Sequence, residues 1–305
     1  MIQRSTLPRV LLLLAGFVFF SANTVHFVES SDSGLWASVD QTYHFDFDHA
    51  ATKGLALNLK SALVVNYDNG EVLYARKPNQ QRPIASITKL VSAMVVIDKG
   101  VSLDSTEIIT GKDARRSSRS RLRVGYEVTL RDLLHAALMN SDNRAARALA
   151  RATCGTIEEF VKDMNRKART LGLKHTHFQE PTGLDSRNVS TAQEVAKILH
   201  YARDYDLIAR ITSEKQYRVE ILNKKNVYVP MSNTNLLVHS RYDVLAGKTG
   251  YIRAADHCLA TILRNSAGER LTVVVLGVPR DKLRFREARK LADWGFRRMA
   301  ALAQL

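Results

Sequence analysis

Cysteine is nearly absent: Cys154 and Cys258 are the only two in 305 residues. That excludes a disulfide-stapled scaffold, and no Cys/His spacing suits a zinc site. The two thiols fall in segments predicted to lie apart, so two buried thiols are expected, although an oxidising compartment would let them pair if the fold brought them together. His175 and His177 alternate as on one strand face, but no third ligand accompanies them, and they read as surface or packing histidines. No long apolar run is present either. Val10 to Phe20 is too short for a membrane-spanning helix. There is no low-complexity tract, and the glycine spacing of a phosphate loop is missing.

With 45% hydrophobic residues, the chain has enough apolar material for a sizeable core, in one large domain or two lobes. The formal net charge of +15, from 45 Lys+Arg against 30 Asp+Glu, favours anionic partners without choosing among nucleic acid, lipid and wall polymer. The densest basic run is Arg115 to Arg123. It reads as a solvated loop or as a rim that attracts an acidic polymer. Only Tyr126 lies near it, so the interleaved aromatics of a nucleic-acid binder are missing and no nucleic-acid partner is expected.

Arg4 and Arg9 precede the apolar run, the pattern of a secretory signal over residues 1–28. Ser21-Ala22-Asn23 is a poor cleavage site, so an uncleaved anchor stays open. Residues 29–54, polar from Glu29 to Lys53, read as a linker or extended arm. Ser61 to Asn66, the turn Asp68-Asn69-Gly70 and Val72 to Arg76 form a hairpin pattern. An apolar helix then runs from Leu90 towards Gly100. From 101 to 209 the texture is helical, with cap boxes opening at Thr129, Thr156 and Thr191. Strand patterns return from 216, at Tyr217 to Leu222, Val227 to Val229, Leu245 to Lys248, Cys258 to Leu263 and Leu271 to Val278. A closing helix spans about Lys282 to Leu302. The chain is therefore predicted to be an α/β lobe (55–100 and 210–305) interrupted by an all-helical insertion (101–209), with chemistry in the cleft between them.

Three short stretches carry that chemistry. Ser86-Ile87-Thr88-Lys89 sits at the entry of the apolar helix, with Pro83 just ahead. Residues three apart share a helix face, so a partly desolvated amine lies within reach of a hydroxyl. Desolvation lowers a lysine pKa, and a neutral amine can take the proton from serine. Alone the signal is weak, since such a match is expected about once in a chain this long. Asn140-Ser141-Asp142-Asn143 breaks one helix and caps the next, which either makes a plain turn or projects Ser141 and Asn143 into the cleft. Ala246-Gly247-Lys248-Thr249-Gly250 ends a strand pattern, offering a cation, a hydroxyl and close backbone approach.

Ser-x-x-Lys, Ser-x-Asn and Lys-Thr-Gly in this order resemble the motif set of the penicillin-binding proteins and class A β-lactamases. Further segments, Ser120 to Gly125, Asn143 to Ala146, Glu180 to Leu184, Asn188 to Ala192, Asn233 to Asn235 and His257 to Leu259, resemble the endopeptidase branch of the low-molecular-mass serine DD-peptidases. The resemblance covers roughly 55–300; Tyr251-Ile252-Arg253 and Asp256 depart from it. It implies an antiparallel sheet flanked by helices, and an enzyme that cleaves D-alanyl crosslinks in peptidoglycan. It implies Ser86 as nucleophile, Lys89 as its base and Ser141 as proton relay. Asn143 would hold the substrate peptide, and Lys248 and Thr249 the carboxylate of the leaving residue. Gly250 would allow close approach, and the N–H groups of Ser86 and Tyr251 would form the oxyanion hole. The implied partners are peptidoglycan stem peptides and β-lactam inhibitors, with periplasmic residence and loose membrane or wall association; no cofactor and no metal are implied.

If Lys89 and Lys248 lie ~5 Å apart, an effective dielectric of ~20 gives about 3 kcal/mol of repulsion. That is roughly two pKa units, expected to fall on Lys89. Two alternatives remain within the enzyme reading: release of terminal D-alanine, and β-lactam turnover. For the second, Glu180 to Leu184 resembles the loop that carries a lactamase's second base, but with Leu184 one residue too far on and an Asp after it. A basic binding module is the non-enzyme rival, and it leaves the three ordered motifs unexplained.

Overall fold

A computed structural model describes residues 42–115 and 120–302. The predicted signal (1–28), the first part of the predicted arm and Arg116 to Arg119 of the basic run lie outside the described residues.

The chain opens with a hairpin of β1 (Ser61–Asn66) and β2 (Val72–Arg76), as the alternation around Gly70 predicts. Two-residue β3 (Arg82–Pro83) leads into a 3-10 helix (Ala85–Thr88) and then α1 (Lys89–Asp98). Short β4 (Thr106–Ile108) and β5 (Glu127–Thr129) pair with each other ahead of α2 (Leu130–Leu138), α3 (Asn143–Cys154) and α4 (Ile157–Thr170). Next come β6 (Val189–Ser190), α5 (Ala192–Arg203) and α6 (Asp206–Ser213), then the hairpin β7 (Gln216–Glu220) and β8 (Tyr228–Ser232). The chain closes with β9 (Asp243–Ile252), β10 (Asp256–Arg264), β11 (Arg270–Val278) and α7 (Asp281–Leu302).

The main sheet is antiparallel, in the order β2-β1-β11-β10-β9. Its central strand β11 is apolar on both faces, and the period of two sorts those faces. Leu271, Val273 and Val275 pack in the cluster that contains Leu291 and Phe296 of α7, whereas Val274 and Leu276 join the cluster of α1 and α5. Each such fully buried aliphatic side chain contributes ~1.5–3 kcal/mol. The sheet is thus sandwiched, with α7 outside and α5 inside. Helix α1 lies beyond α5, surrounded by α2 to α6, and is buried from Lys89 to Val96.

Three local features depart from the sequence pattern. The segment read as an arm is described from Thr42, where Asp46 and Ala51 bridge Glu71 and Tyr74 beside β2. The 101–209 stretch contains the β4–β5 pair, whose three-residue strands are too short to show a period. The hairpin β7–β8 stays out of the main sheet and packs on α2, where the Tyr217 ring stacks on His135 and its hydroxyl donates to Asp132 at 2.9 Å. Both cysteines are unpaired; Cys258 is buried as expected, whereas Cys154, at the end of α3, is only half-buried. Among the described residues no helix is long and apolar enough to cross a membrane.

Candidate active site

Ser86 lies in the 3-10 helix, one turn before α1, and not in the α-helix the pattern predicts. Ala85, just ahead of it, has φ 49°, a left-handed conformation that costs a non-glycine residue roughly 1–3 kcal/mol. The surroundings hold it there. β3 is paired to β6, Ile84 N–H donates to Asn188 O, and Gly183 presses against the Ala85 carbonyl so closely that a Cβ on Gly183 would stand 2.0 Å from the Ala85 oxygen. Ser86 is left half-buried at the cleft floor while Lys89, three residues on, is 1% exposed.

Lys89 Nζ has three oxygen neighbours: Ser86 Oγ at 2.9 Å, Asn143 Oδ1 at 2.7 Å and Thr182 O at 2.7 Å. The second motif reaches it through a capped break. Thr129 caps α2 by accepting from Asp132 N–H at 3.0 Å, and that helix ends where Ser141 takes φ 58°. Asp142 then caps α3, accepting from the N–H groups of Arg144 and Ala145 at 2.9 and 3.1 Å. Its other carboxylate oxygen accepts from Ser120 Oγ at 2.6 Å, which ties the end of the basic run to the turn. Asn143 is thereby aimed at Lys89, and Ser141 at Lys248, whose Nζ donates to Ser141 Oγ at 2.9 Å.

The third motif lies inside β9, which continues to Ile252, further than the pattern predicts, because pairing with β10 runs on: Lys248 opposite Ala260, Thr249 opposite Leu259, Gly250 opposite Cys258 and Tyr251 opposite His257. β9 is the sheet's edge strand, and that edge meets the serine turn. A Cβ on Gly250 would lie 2.8 Å from Ile84 O and 3.2 Å from Ser86 N, so only glycine lets the two backbones approach. Thr249 Oγ1 lies 2.6 Å from Thr234 Oγ1. Tyr251 is 52% exposed at the rim and stacks on His257, ring centroids 4.2 Å apart. Ser86, Ser141, Asn143, Thr249, Gly250 and Tyr251 all line one cavity of ≈ 300 Å³. All eight residues singled out by sequence are brought together, with the two lysines buried in the walls.

Burial lowers the Lys89 pKa to about 7, aided by Arg147 and opposed by Glu180 and Asp142. Lys248 is also pushed down, first by burial, then by Lys89 and Arg284. Burial, rather than the repulsion between the lysines expected to lower Lys89, is thus the leading cause for both; Glu180 and Asp142 oppose the shift at Lys89.

Sequence patterns missed three contributors. Arg284, buried in α7, lines the cavity and donates to Gly250 O at 3.1 Å; within an amphipathic helix nothing distinguished it from its exposed neighbours. Thr182 and Thr234 act through a carbonyl and a hydroxyl across the chain, and neither leaves a spacing signal. Glu180 is spent on its own loop. It accepts from Thr182 N–H, Gly183 N–H and Leu184 N–H at 2.9, 2.5 and 2.8 Å, and from Thr182 Oγ1 at 2.5 Å. Among the described residues no group of His, Cys, Asp and Glu is placed to hold a metal.

The family model described as D-alanyl-D-alanine carboxypeptidase matches residues 48–280. The chain is 39% identical over 238 residues to a D-alanyl-D-alanine endopeptidase of Pseudomonas aeruginosa, covering 77% of this chain and 76% of the relative. It is 36% identical to one of Escherichia coli, with the same coverage. Among solved structures, a Streptomyces DD-transpeptidase superposes with TM-score 0.75 at 26% identity, covering 80% of this chain and 99% of that one.

Proposed function

This chain belongs to the D-alanyl-D-alanine carboxypeptidase family of serine peptidases, and from that premise we propose that it is a penicillin-sensitive DD-endopeptidase that cleaves D-alanyl crosslinks between stem peptides of peptidoglycan. One observation carries the assignment of roles: Lys89 joins Ser86 to Asn143, and Lys248 joins the same turn through Ser141, so three motifs far apart in sequence are linked by hydrogen bonds into one site.

In this mechanism Ser86 Oγ gives its proton to Lys89 Nζ and attacks the carbonyl carbon of the penultimate D-alanine. The N–H groups of Ser86 and Tyr251 take the developing oxyanion. The proton that Lys89 took from Ser86 is relayed through Ser141, held by Lys248, to the leaving nitrogen as the C–N bond breaks, leaving an ester on Ser86, a neutral Lys89 and Ser141 as a hydroxyl again. Water then attacks the ester carbon as one of its protons passes to Lys89, and Lys89 returns that proton to Ser86 Oγ as the ester C–O bond breaks, restoring the Ser86 hydroxyl. Asn143 fixes the substrate amide while its Oδ1 holds Lys89. Thr249, with Lys248 and Arg284 behind it, receives the carboxylate of the leaving residue. The basic N-terminal signal pattern supports export to the periplasm.

The decisive experiment incubates the purified protein with a crosslinked muropeptide dimer and, separately, with a monomeric pentapeptide. Faster cleavage of the dimer is expected. Faster release of terminal D-alanine from the monomer would replace the endopeptidase assignment by a carboxypeptidase one. Mass spectrometry after penicillin treatment should find the adduct on Ser86, and an adduct on Ser141 would remove the proposed nucleophile.

A further inference from the structure

The outer face of α7 is strongly basic. Lys282, Arg286, Arg289 and Lys290 are all exposed and recur at i, i+4, i+7 and i+8, which places them on one side of the helix. Two recesses open along that side. One, of ≈ 520 Å³, is lined by Asn58, Leu283 and four cations, Arg280, Lys282, Arg286 and Arg289, with no carboxylate. The other, of ≈ 430 Å³, is lined by Ser240, Arg241, Arg286, Arg289, Lys290 and Asp293. They share Arg286 and Arg289, so they adjoin along the helix as a trough in two parts.

The carboxylates nearby are already committed. Asp281 pairs with Arg284 at 2.6 Å, Asp293 with Arg241 at 2.7 Å, and the buried Glu287 sits 3.5 Å from Arg286 Nε and 3.8 Å from Lys290 Nζ. No ion pair joins Arg280, Lys282 or Arg289 to a carboxylate among the described residues. Holding so many like charges together is unfavourable unless an anion comes to them.

The trough begins beside the catalytic cleft. Arg284, one turn into α7, donates to Gly250 O, and Asp281 lies 3.6 Å from His257, which stacks on the rim residue Tyr251. A strand leaving the cleft past Thr249 and Tyr251 would thus reach the start of α7. None of the exposed large apolar side chains among the described residues lies on α7, so this face lacks the anchors that an interfacial helix inserts between lipids.

We propose that the α7 trough is a second binding site for peptidoglycan, taking the carboxylates of a stem peptide on the strand that continues beyond the leaving-group side of the cleft. The inference rests on the DD-endopeptidase assignment and extends it: small soluble peptides would use the cleft alone, whereas the intact wall would use both.

The test compares the parent with Lys282→Glu/Arg286→Glu/Arg289→Glu, each also carrying Ser86→Ala so that the wall is not digested, by co-sedimentation with purified sacculi. Binding by the charge-reversal variant is expected to fall about tenfold at low salt, and parent binding to be lost by ~0.5 M NaCl. The corresponding Gln triple variant, which removes charge without adding any, should lose about threefold. With Ser86 restored, both variants should acylate with penicillin and cleave soluble dimer at the parent's rate. Sedimentation equal to the parent's in an acylating variant overturns the inference. So does unchanged sacculus binding with loss of binding to vesicles containing phosphatidylglycerol, which would make this a membrane face. Failure of the unmodified parent to acylate or to cut the dimer would instead strike the proposed function, and the two failures are separable.

Discussion

Thr182 presents its carbonyl oxygen to Lys89 Nζ at 2.7 Å, opposite the Asn143 amide oxygen at the same distance and with Ser86 Oγ at 2.9 Å. This set of neighbours suits the amine in both of its protonation states. An ammonium has three donors for the three oxygens. A neutral amine keeps two donors, which Thr182 and Asn143 can engage, so its lone pair is directed at the Ser86 hydroxyl. Proton transfer then requires little movement of the lysine.

The pH dependence of acylation follows. With burial holding Lys89 at about 7, the proposed base is protonated below that pH and neutral above it. The second-order rate of penicillin acylation is expected to fall about tenfold per pH unit below ~6 and to level off above ~8. Stopped-flow or gel-based labelling across pH 5–9 checks this; a rate that declines as pH rises through 7 would contradict it. The same shift has a sign for stability. The folded state holds fewer protons on Lys89 than the unfolded state between about 7 and the model-peptide value of 10.5. The stability cost of burying this lysine is therefore greatest below pH 7 and diminishes as pH rises through that window.

Lys89→Arg should acylate at less than about a tenth of the parent rate although it keeps the charge. A guanidinium stays protonated in proteins and cannot act as the base. It must also fit where an amine touches three oxygens in a site 1% exposed. Circular dichroism with penicillin labelling separates loss of chemistry from loss of fold.

Gly183→Ala tests the support behind the serine. With φ +84° and a Cβ that would meet Ala85 O at 2.0 Å and Ser86 N at 2.8 Å, the methyl group faces backbone that cannot rotate away. A cost of about 3 kcal/mol or more is expected. For a protein of this size, that lowers the melting temperature by about 5–10 °C. Acylation should fall as well, because any relief moves the Ser86 N–H. An unchanged melting temperature would show that the loop and the serine turn are not in contact.

Much of the site was legible because it is written in short spacings. Ser86 and Lys89 share a face by helical period, and the cap-type residues 140–143 announce a break. The closing helix, the first hairpin and β10 and β11 follow from periodicity. What spacing does not encode is contact between distant backbones. The role of Thr182 depends on a carbonyl oxygen, which every residue has, and that of Gly183 on the left-handed Ala85 opposite it. Arg284 looks like any other cation of α7 until the helix is laid on the sheet and buries it. The β7–β8 hairpin alternates as a sheet strand would, and only the Tyr217 contacts with His135 and Asp132 assign it to α2. The Lys89 pKa likewise depends on burial and on carboxylates, Glu180 and Asp142, brought in from other segments.

Glu180 offers the sharpest division between peptidase and β-lactamase. A lactamase needs a carboxylate with an oxygen free to take a proton from the deacylating water. Here both oxygens are occupied: Oε2 by the N–H and hydroxyl of Thr182, and Oε1 by the N–H groups of Gly183 and Leu184. Glu180 therefore shapes the loop that delivers Thr182 O to Lys89. In Glu180→Gln an amide NH₂ replaces one acceptor and faces donors, which should cost about 1–3 kcal/mol of stability. Glu180 also raises the Lys89 pKa, so its neutralisation should move the acid limb of the acylation profile to lower pH. The lifetime of the penicilloyl adduct should stay within about twofold of the parent's, since no deacylation base has been removed. Purified parent and variant, labelled with penicillin and followed by intact-protein mass, give both the profile and the lifetime. A parent adduct that clears quickly, with Glu180→Gln prolonging it a hundredfold, would identify Glu180 as a hydrolytic base and make this protein a β-lactamase.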